Sequence, residues 1–493
     1  MMGMNTGRLP TRFALSLLVF IFCFVLITWG ASHVETRYGM DYFSNHSNLE
    51  VLVRLLTIPA LIAAIVFYLT GCSANAPNSS GMVSEGVQVS NQPFRAQVVG
   101  VQWMNPLVRR DYTTEWQLLW TLGLAAPNKD DDMVRIKPWK FTSVQPIASI
   151  VSNIGGKKSF RSVFLQYSQE IVLPFRNRYV RNATYFYTVQ PKSSRNWREL
   201  AGIHVELGVP ERPDLDPEEA AGVLRNIITT FFEIGGSASL SSRDTPPDVR
   251  VSAGHSNVGF TSLSAALDYL ESHPDESVWA MNWDVPEYPL DEQMSENYAL
   301  LILAGPNFDT EREPLAWIGR PVTRKAEDFE IQPGQPRLVQ AWRSAMEAAA
   351  SNAGRPLTEI GYLIHDAGKA SDAAGKRIAA LGQALVEPLP EFDILKQGFN
   401  NTALMGDTGA GTALTNVALA IAYAHHKGTP VLVAGTAEKD TAAAVVVTPP
   451  ARAREIDPSK DWFRARGGRN VYLPWWGLRR DVDWSQLMQG FSE

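Results

Sequence analysis

The chain has 493 residues, 45% hydrophobic and 19% charged, a balance that fits a globular protein of two or three domains and excludes a disordered one. Its formal net charge is −6, and no Lys/Arg block or basic aromatic stripe interrupts it, which excludes the electrostatic footprint of a nucleic-acid binder. Cys23 and Cys72 are the only cysteines, too few for a disulfide framework, and everything beyond Cys72 lacks a thiol.

Phe13 to Ala31 is an uncharged apolar run, long enough at about 1.5 Å per residue to cross most of a ~30 Å hydrocarbon layer. Leu55 to Gly71 is a second such run, interrupted by Pro59. Arg8 and Arg12 ahead of the first run favour a cytoplasmic N-terminus. Residues 1–72 therefore read as a membrane anchor of two transmembrane helices that returns the rest of the chain to the cytoplasm. Leu69-Thr70-Gly71-Cys72 supports an alternative, a lipobox that would make a periplasmic protein anchored by lipid at Cys72. If the N-terminal segment is not retained, the body is cytoplasmic. Residues 73–93, rich in Ser, Asn, Gly and Pro, read as a flexible linker.

The body starts at Phe94. Val98 to Trp103 reads as a strand and Thr114 to Leu124 as a buried helix, followed by a solvated acidic loop from Asn128 to Met133. Phe160 to Val172 and Ala183 to Val189 are aromatic and β-branched, the composition of strands or buried segments. Ile203 to Gly208 alternates like a half-buried strand. Asp216-Pro217-Glu218-Glu219 starts a helix running to Phe232, with a capping Asp, a proline in the first turn and acids that complement the dipole. Strands are expected at Val249 to Ala253, Ala299 to Ala304 and Glu359 to His365, and helices at Leu263 to Glu271, Leu338 to Ala350 and Ser371 to Leu385. A Gly/Ala-rich turn, Met405 to Gly411, then leads into an Ala-rich helix and a hairpin of two strands, Pro430 to Gly435 and Thr441 to Val447. This alternation predicts an α/β body with a mainly parallel or mixed sheet, divided into residues 94–335 and 336–493.

Several residues invite a chemical reading. The turn before the Ala-rich helix has Thr412 and Ala413 after its last glycine, so it lacks the Lys of a phosphate-binding loop. Gly254-His255-Ser256-Asn257-Val258 approaches a serine-hydrolase elbow, but the second glycine comes one residue late and the predicted helix later still. Ser256 thus stands as an alternative nucleophile, with Asp248, Asp268, Asp284, His273 and His365 as conceivable partners. His425 and His426 point about 100° apart on a helix, unsuited to one metal, and fit a helix C-terminus beside Lys427. His365 and Asp366 end a strand, where function can sit, but no third ligand stands at metal spacing. No cofactor and no metal is expected. The candidate partner-binding residues are aromatic and arginine side chains of the kind that dominate interfaces: Trp279 and Trp283, and in the tail Trp462, Trp475, Trp476, Trp484, Arg479 and Arg480. Burial of the tail's rings against its own domain is the competing reading.

Gly406-Asp407-Thr408, the Ala-rich helix and the closing strand pair resemble the end of the thiolase and ketosynthase fold, with Asp407 where that family has a histidine. Val98 to Val101 leading to Asn105-Pro106-Leu107 is similar to that fold's opening. The resemblance implies a duplicated, thiolase-like mixed-sheet body without catalytic residues, because a thioester mechanism needs an activated cysteine. Together with Trp279 to Pro286 and Met405 to Val447, the chain resembles the bacterial type VI secretion lipase-adaptor family. That resemblance implies a non-enzymatic adaptor or chaperone that binds a phospholipase effector and recruits it to the VgrG-like spike protein for export.

Overall fold

The computed structural model describes residues 93–104, 114–127, 129–140, 160–181, 203–231, 234, 246–274, 276–285, 296–308, 313–369 and 371–456. The two predicted membrane runs, the segment Ala183 to Val189 and the tail residues Trp462, Trp475, Trp476, Trp484, Arg479 and Arg480 lie outside them. The chain divides into two compact units, Met1–Ser90 and Asn91–Glu493, and every described residue belongs to the second. Among the described residues no helix is long and apolar enough to cross a membrane.

The body is a mixed α/β structure around one sheet, eleven strands among the described residues. They are β1 (Arg95–Met104), β2 (His204–Pro210), β3 (Asp248–Gly254), β4 (Ser277–Asp284), β5 (Asn297–Ala304), β6 (Ala316–Gly319), β7 (Val322–Lys325), β8 (Tyr362–His365), β9 (Gly398–Asn400), β10 (Val431–Gly435) and β11 (Thr441–Thr448). Across the sheet the order is β3-β2-β4-β5-β1-β6-β11-β10-β8-β9, with β7 beside β11. From one edge, β3, β2 and β4 are parallel, and β5 and β1 follow antiparallel. From the other edge, β9, β8 and β10 are parallel, and β11 and β6 follow antiparallel. One strand pattern is therefore used twice, and the copies join edge to edge where Arg95 to Val98 of β1 pairs with Gly319 to Ala316 of β6. The second copy of the strand pattern begins at β6, since β6 and β7 both pair with β11.

Seven longer helices among the described residues pack on this sheet: α1 (Thr114–Thr121), α2 (Phe160–Arg181), α3 (Pro217–Phe231), α4 (Val258–Ser272), α5 (Arg337–Asn352), α6 (Asp372–Val386) and α7 (Thr412–Lys427). Helix α2 corrects the strand expected at Phe160 to Val172. Its buried residues Phe164, Tyr167, Ser168, Ile171 and Val172 fall at helical spacing, and that period decides over their bulk and branching. Strand β2 is buried on both faces rather than half-buried, since it runs between parallel neighbours in the sheet interior and helices cover it. The acidic loop is also corrected. Asp131 is buried and its Oδ1 accepts the Val134 N–H, starting a short helix at Asp132.

Helix starts follow side-chain chemistry. Asp216 accepts the Glu218 N–H at 3.1 Å and Ser371 Oγ accepts the Ala374 N–H at 3.1 Å. The two helices that occupy equivalent places in the repeated pattern, α4 between β3 and β4 and α7 between β9 and β10, pack against each other. From Thr412 to Ala422 every residue of α7 is buried, as befits a helix surrounded by protein, and its alanines let the strands come close.

Candidate functional site

Parallel strands deliver their carboxyl ends to one edge, and helices that follow them begin there, which is where α/β folds place polar chemistry. In this chain β4 ends at Asp284, β8 at His365 and β10 at Gly435, and the N-termini of α4 and α7 stand beside them. Asp284, almost fully buried, accepts the Ala410 N–H at 2.8 Å on Oδ2 and the Val285 N–H at 2.7 Å on Oδ1. Arg212 approaches Oδ1 at 3.4 Å and donates to the Val285 carbonyl at 3.0 Å. Burial pushes the Asp284 carboxyl up to about 7, while the Ala410 N–H, Arg212 and the Val285 N–H hold it back and the charge of Asp407 adds to the rise.

The turn ahead of α7 is knitted into the first copy of the strand pattern. Asn297, at the start of β5, donates from Nδ2 to the Thr408 carbonyl at 2.9 Å, and Thr408 and Thr412 share a hydroxyl hydrogen bond of 2.7 Å. A Cβ at Gly411 would fall 1.5 Å from Asn297 Oδ1, so the close approach requires glycine. Gly406, at φ 84°, supplies the left-handed conformation that opens the turn. Asp407 is exposed and accepts the Gly409 N–H at 2.8 Å, a local turn contact. Asp284 through Ala410, and Asn297 through the Thr408 carbonyl, therefore each make a hydrogen bond that joins the two copies.

Across the same edge, Asp366 accepts both the N–H and the hydroxyl of Thr436, at 2.5 and 2.8 Å, and burial raises its carboxyl above the ordinary value. His365 is buried, which lowers it to about 4, so it is neutral at physiological pH. Glu438, in the β10–β11 turn, accepts the N–H of Asn257 at 2.9 Å and places a carboxylate on the N-terminus of α4. The buried amides of Asn257, Asn282, Asn401 and Asn416 meet no hydrogen-bond partner among the described residues.

Helix α4 begins at Val258, so the strand–turn–helix around Ser256 is tighter than the sequence suggested. The residues named as its partners are engaged elsewhere. Asp248 binds His204 and Arg250, Asp268 pairs with Arg320, His273 stacks on Tyr269 and His365 accepts the Ala367 N–H. General-base catalysis needs the base within reach of the proton it takes, and among the described residues no hydrogen bond links Ser256 to any of them. Among the described residues no group of His, Cys, Asp and Glu is placed to hold a metal ion.

Trp279 and Trp283 are corrected from candidate partner residues to core. Both are fully buried on β4, and Trp283 packs edge-on against Phe164 at 4.9 Å, with Tyr167 and Tyr298 beyond. His425 and His426 are buried at the end of α7 rather than standing as solvated charges there. Their Nδ1 atoms lie 2.9 Å from the Leu315 carbonyl and 2.7 Å from the Arg454 carbonyl, acceptors to which each ring donates.

Residues 315–449 match the family described as type VI lipase adapter protein Tla3, C-terminal. The matched residues span β6 to β11 and contain α5, α6 and α7. Similar solved structures include the ishigamide ketosynthase/chain length factor, with 16% identity, a TM-score of 0.43, and 74% of this chain and 100% of that one covered. Another is the ketosynthase from module 6 of the bacillaene synthase of Bacillus subtilis 168, at 12% identity and a TM-score of 0.45, covering 72% of this chain and 72% of that chain. A third is acetamide-bound OleA from Xanthomonas campestris, at 12% identity and a TM-score of 0.39, covering 72% of this chain and 98% of that chain. No match was found among curated proteins.

Proposed function

We propose that this chain is a non-enzymatic adaptor that binds a type VI lipase effector and recruits it to the secretion spike. The observation that carries this reading is the match of residues 315–449 to the C-terminal part of a type VI lipase adapter. The polar edge is consistent with it, since Asp284, Asn297, Thr408 and Thr436 are spent on contacts between elements of the fold. A scaffold of this kind raises the effective concentration of two partners by binding both, without chemistry. The proposal extends to location: residues 13–31 and 55–71 hold the protein in the inner membrane, and the linker 73–93 keeps the body on the cytoplasmic side near the secretion apparatus.

The test is affinity capture of the full chain from its native cell, followed by mass spectrometry and an export assay in a strain lacking the protein. Recovery of a lipolytic effector with a spike protein, and loss of that effector from the medium in the deletion strain, is the expected result. Capture of neither partner, with export unchanged, overturns it. A reporter fused after Glu493 that is active only in the periplasm overturns the placement of the body.

A further inference from the structure

Residues of helix α1 and of the short helix Asp132–Ile136 line an apolar cleft of about 590 Å³ together with Phe399 and Leu404. This size falls in the range of roughly 300–1,000 Å³ that holds a compact apolar body. Trp120, Ala125, Val134 and Leu404 belong to its apolar lining, and Lys129 and Arg135 stand among the lining residues. Beside it Ile136 and Trp139 are 63% and 61% exposed, an uncommon concentration of large apolar side chains facing outward.

The chain itself leads to this place. Ile456, the last described residue, packs against a small cluster of Leu119 and Val134 that Trp120, Leu124 and Ala125 also join, so the start of the tail lies beside residues that line the cleft. The next residues are Asp457-Pro458-Ser459-Lys460-Asp461-Trp462-Phe463. Six residues reach at most about 20 Å, so an aromatic pair is tethered within range of an apolar cleft. Asp457 and Asp461 complement Lys129 and Arg135 in charge, although Arg135 already pairs with Asp132 at 2.7 Å.

We infer that the cleft between α1 and Leu404 is the docking site of this chain's own tail, with Trp462 and Phe463 as the side chains that fill it. Burial of an aromatic side chain removes about 150–250 Å² from water, which supplies the driving force, and the tether keeps the ordering cost low. This assigns Trp462 a contact within the chain in place of the partner contact predicted for it.

The experiment uses the full chain with Cys23→Ser and Cys72→Ser, which removes every native thiol. Ala126→Cys, in the cleft wall, is paired with Asp461→Cys and the protein is mildly oxidised. An intramolecular disulfide is expected at a yield at least about tenfold above that of a control pairing Asp461→Cys with Glu327→Cys, which lines a separate cleft. Disulfide-linked dimers, showing that a second copy fills the cleft, or a yield equal to the control, overturn the inference. Hydrogen exchange gives an independent reading. Trp462→Ala with Phe463→Ala should speed exchange severalfold at Leu119 to Ala125 and leave β10 and β11 unchanged. Unchanged exchange at Leu119 to Ala125 also overturns it.

Discussion

The two copies of the strand pattern are filled by opposite means. In the first, the largest buried side chains are aromatic, with Trp103, Trp279, Trp283, Phe164, Tyr167 and Tyr298 all inside. In the second, alanines are frequent: Ala345, Ala349 and Ala350 of α5 share a buried cluster with Ala442 and Ala444 of β11, and Trp342 is the one ring among that cluster's described buried residues. The same sheet order therefore does not require the same core. Big rings hold elements apart and make the first copy sensitive to loss of volume, whereas alanines bring helix and strand together and make the second sensitive to gain of volume.

Truncation of a ring in the first copy gives the largest expected effect. Trp283→Ala should destabilise the body by about 3–5 kcal/mol, measured by urea denaturation, because it removes the partner of Phe164, Tyr167 and Tyr298. A loss below about 1 kcal/mol would break the comparison. The reverse change belongs to the second copy. Ala444→Leu should cost about 1–3 kcal/mol by overpacking against α5, and a stabilised variant would show that the alanine core holds unused space.

Titration separates the copies next. Asp284 stays protonated in the fold up to about 7 while the unfolded chain ionises near 3.8, so its contribution is lost as pH rises through that window. His365 is neutral in the fold down to about 4 while the unfolded chain binds a proton below 6.5, so its contribution grows as pH rises from 4 to 6.5. Asp366, also raised by burial, adds to the falling side. The slopes of Asp284 and His365 oppose each other. Denaturation at pH 4.5, 5.5 and 6.5 should show stability rising more steeply with pH in Asp284→Asn, and falling more steeply in His365→Gln, than in the parent. Parallel profiles for all three proteins would show that neither group is linked to folding. The smallest effect is expected at Ser256, where Ser256→Ala should shift stability by less than about 0.5 kcal/mol and leave effector export unchanged.

The alternation of strands and helices was legible because each element carries its own local signal. Asp216 and Ser371 cap where their types predict, and the turn from Met405 to Gly411 leads into a helix and hairpin as read. What escaped was information carried by distant partners. Leu315 lies 110 residues from the His425 that hydrogen-bonds to it, and nothing adjacent to His425 announces that carbonyl. Trp279 and Trp283 are the residue type that both interfaces and cores prefer, so composition could not decide between them; their place on an interior strand did. At α2 the bulk of the side chains suggested strand, although their spacing already carried the helical period. The polar edge was missed because Asp284, Asn297, Thr408 and Asp366 are scattered along the chain and meet only after folding.

The seam between β1 and β6 has a consequence for how the matched region can be handled. Residues 315–449 are continuous in sequence, yet β6 completes its hydrogen bonds on Arg95 to Val98, and Arg95 also donates from Nη1 to the Ala353 carbonyl at 3.3 Å. Cut out alone, this stretch would present the bare edge of β6 to other chains, an invitation to aggregate. It would also strip the cover from α7, whose far side rests on α4 and β5. A boundary drawn by sequence similarity here crosses a physical unit, and the ten residues of β1 would have to travel with it together with α4 and β5.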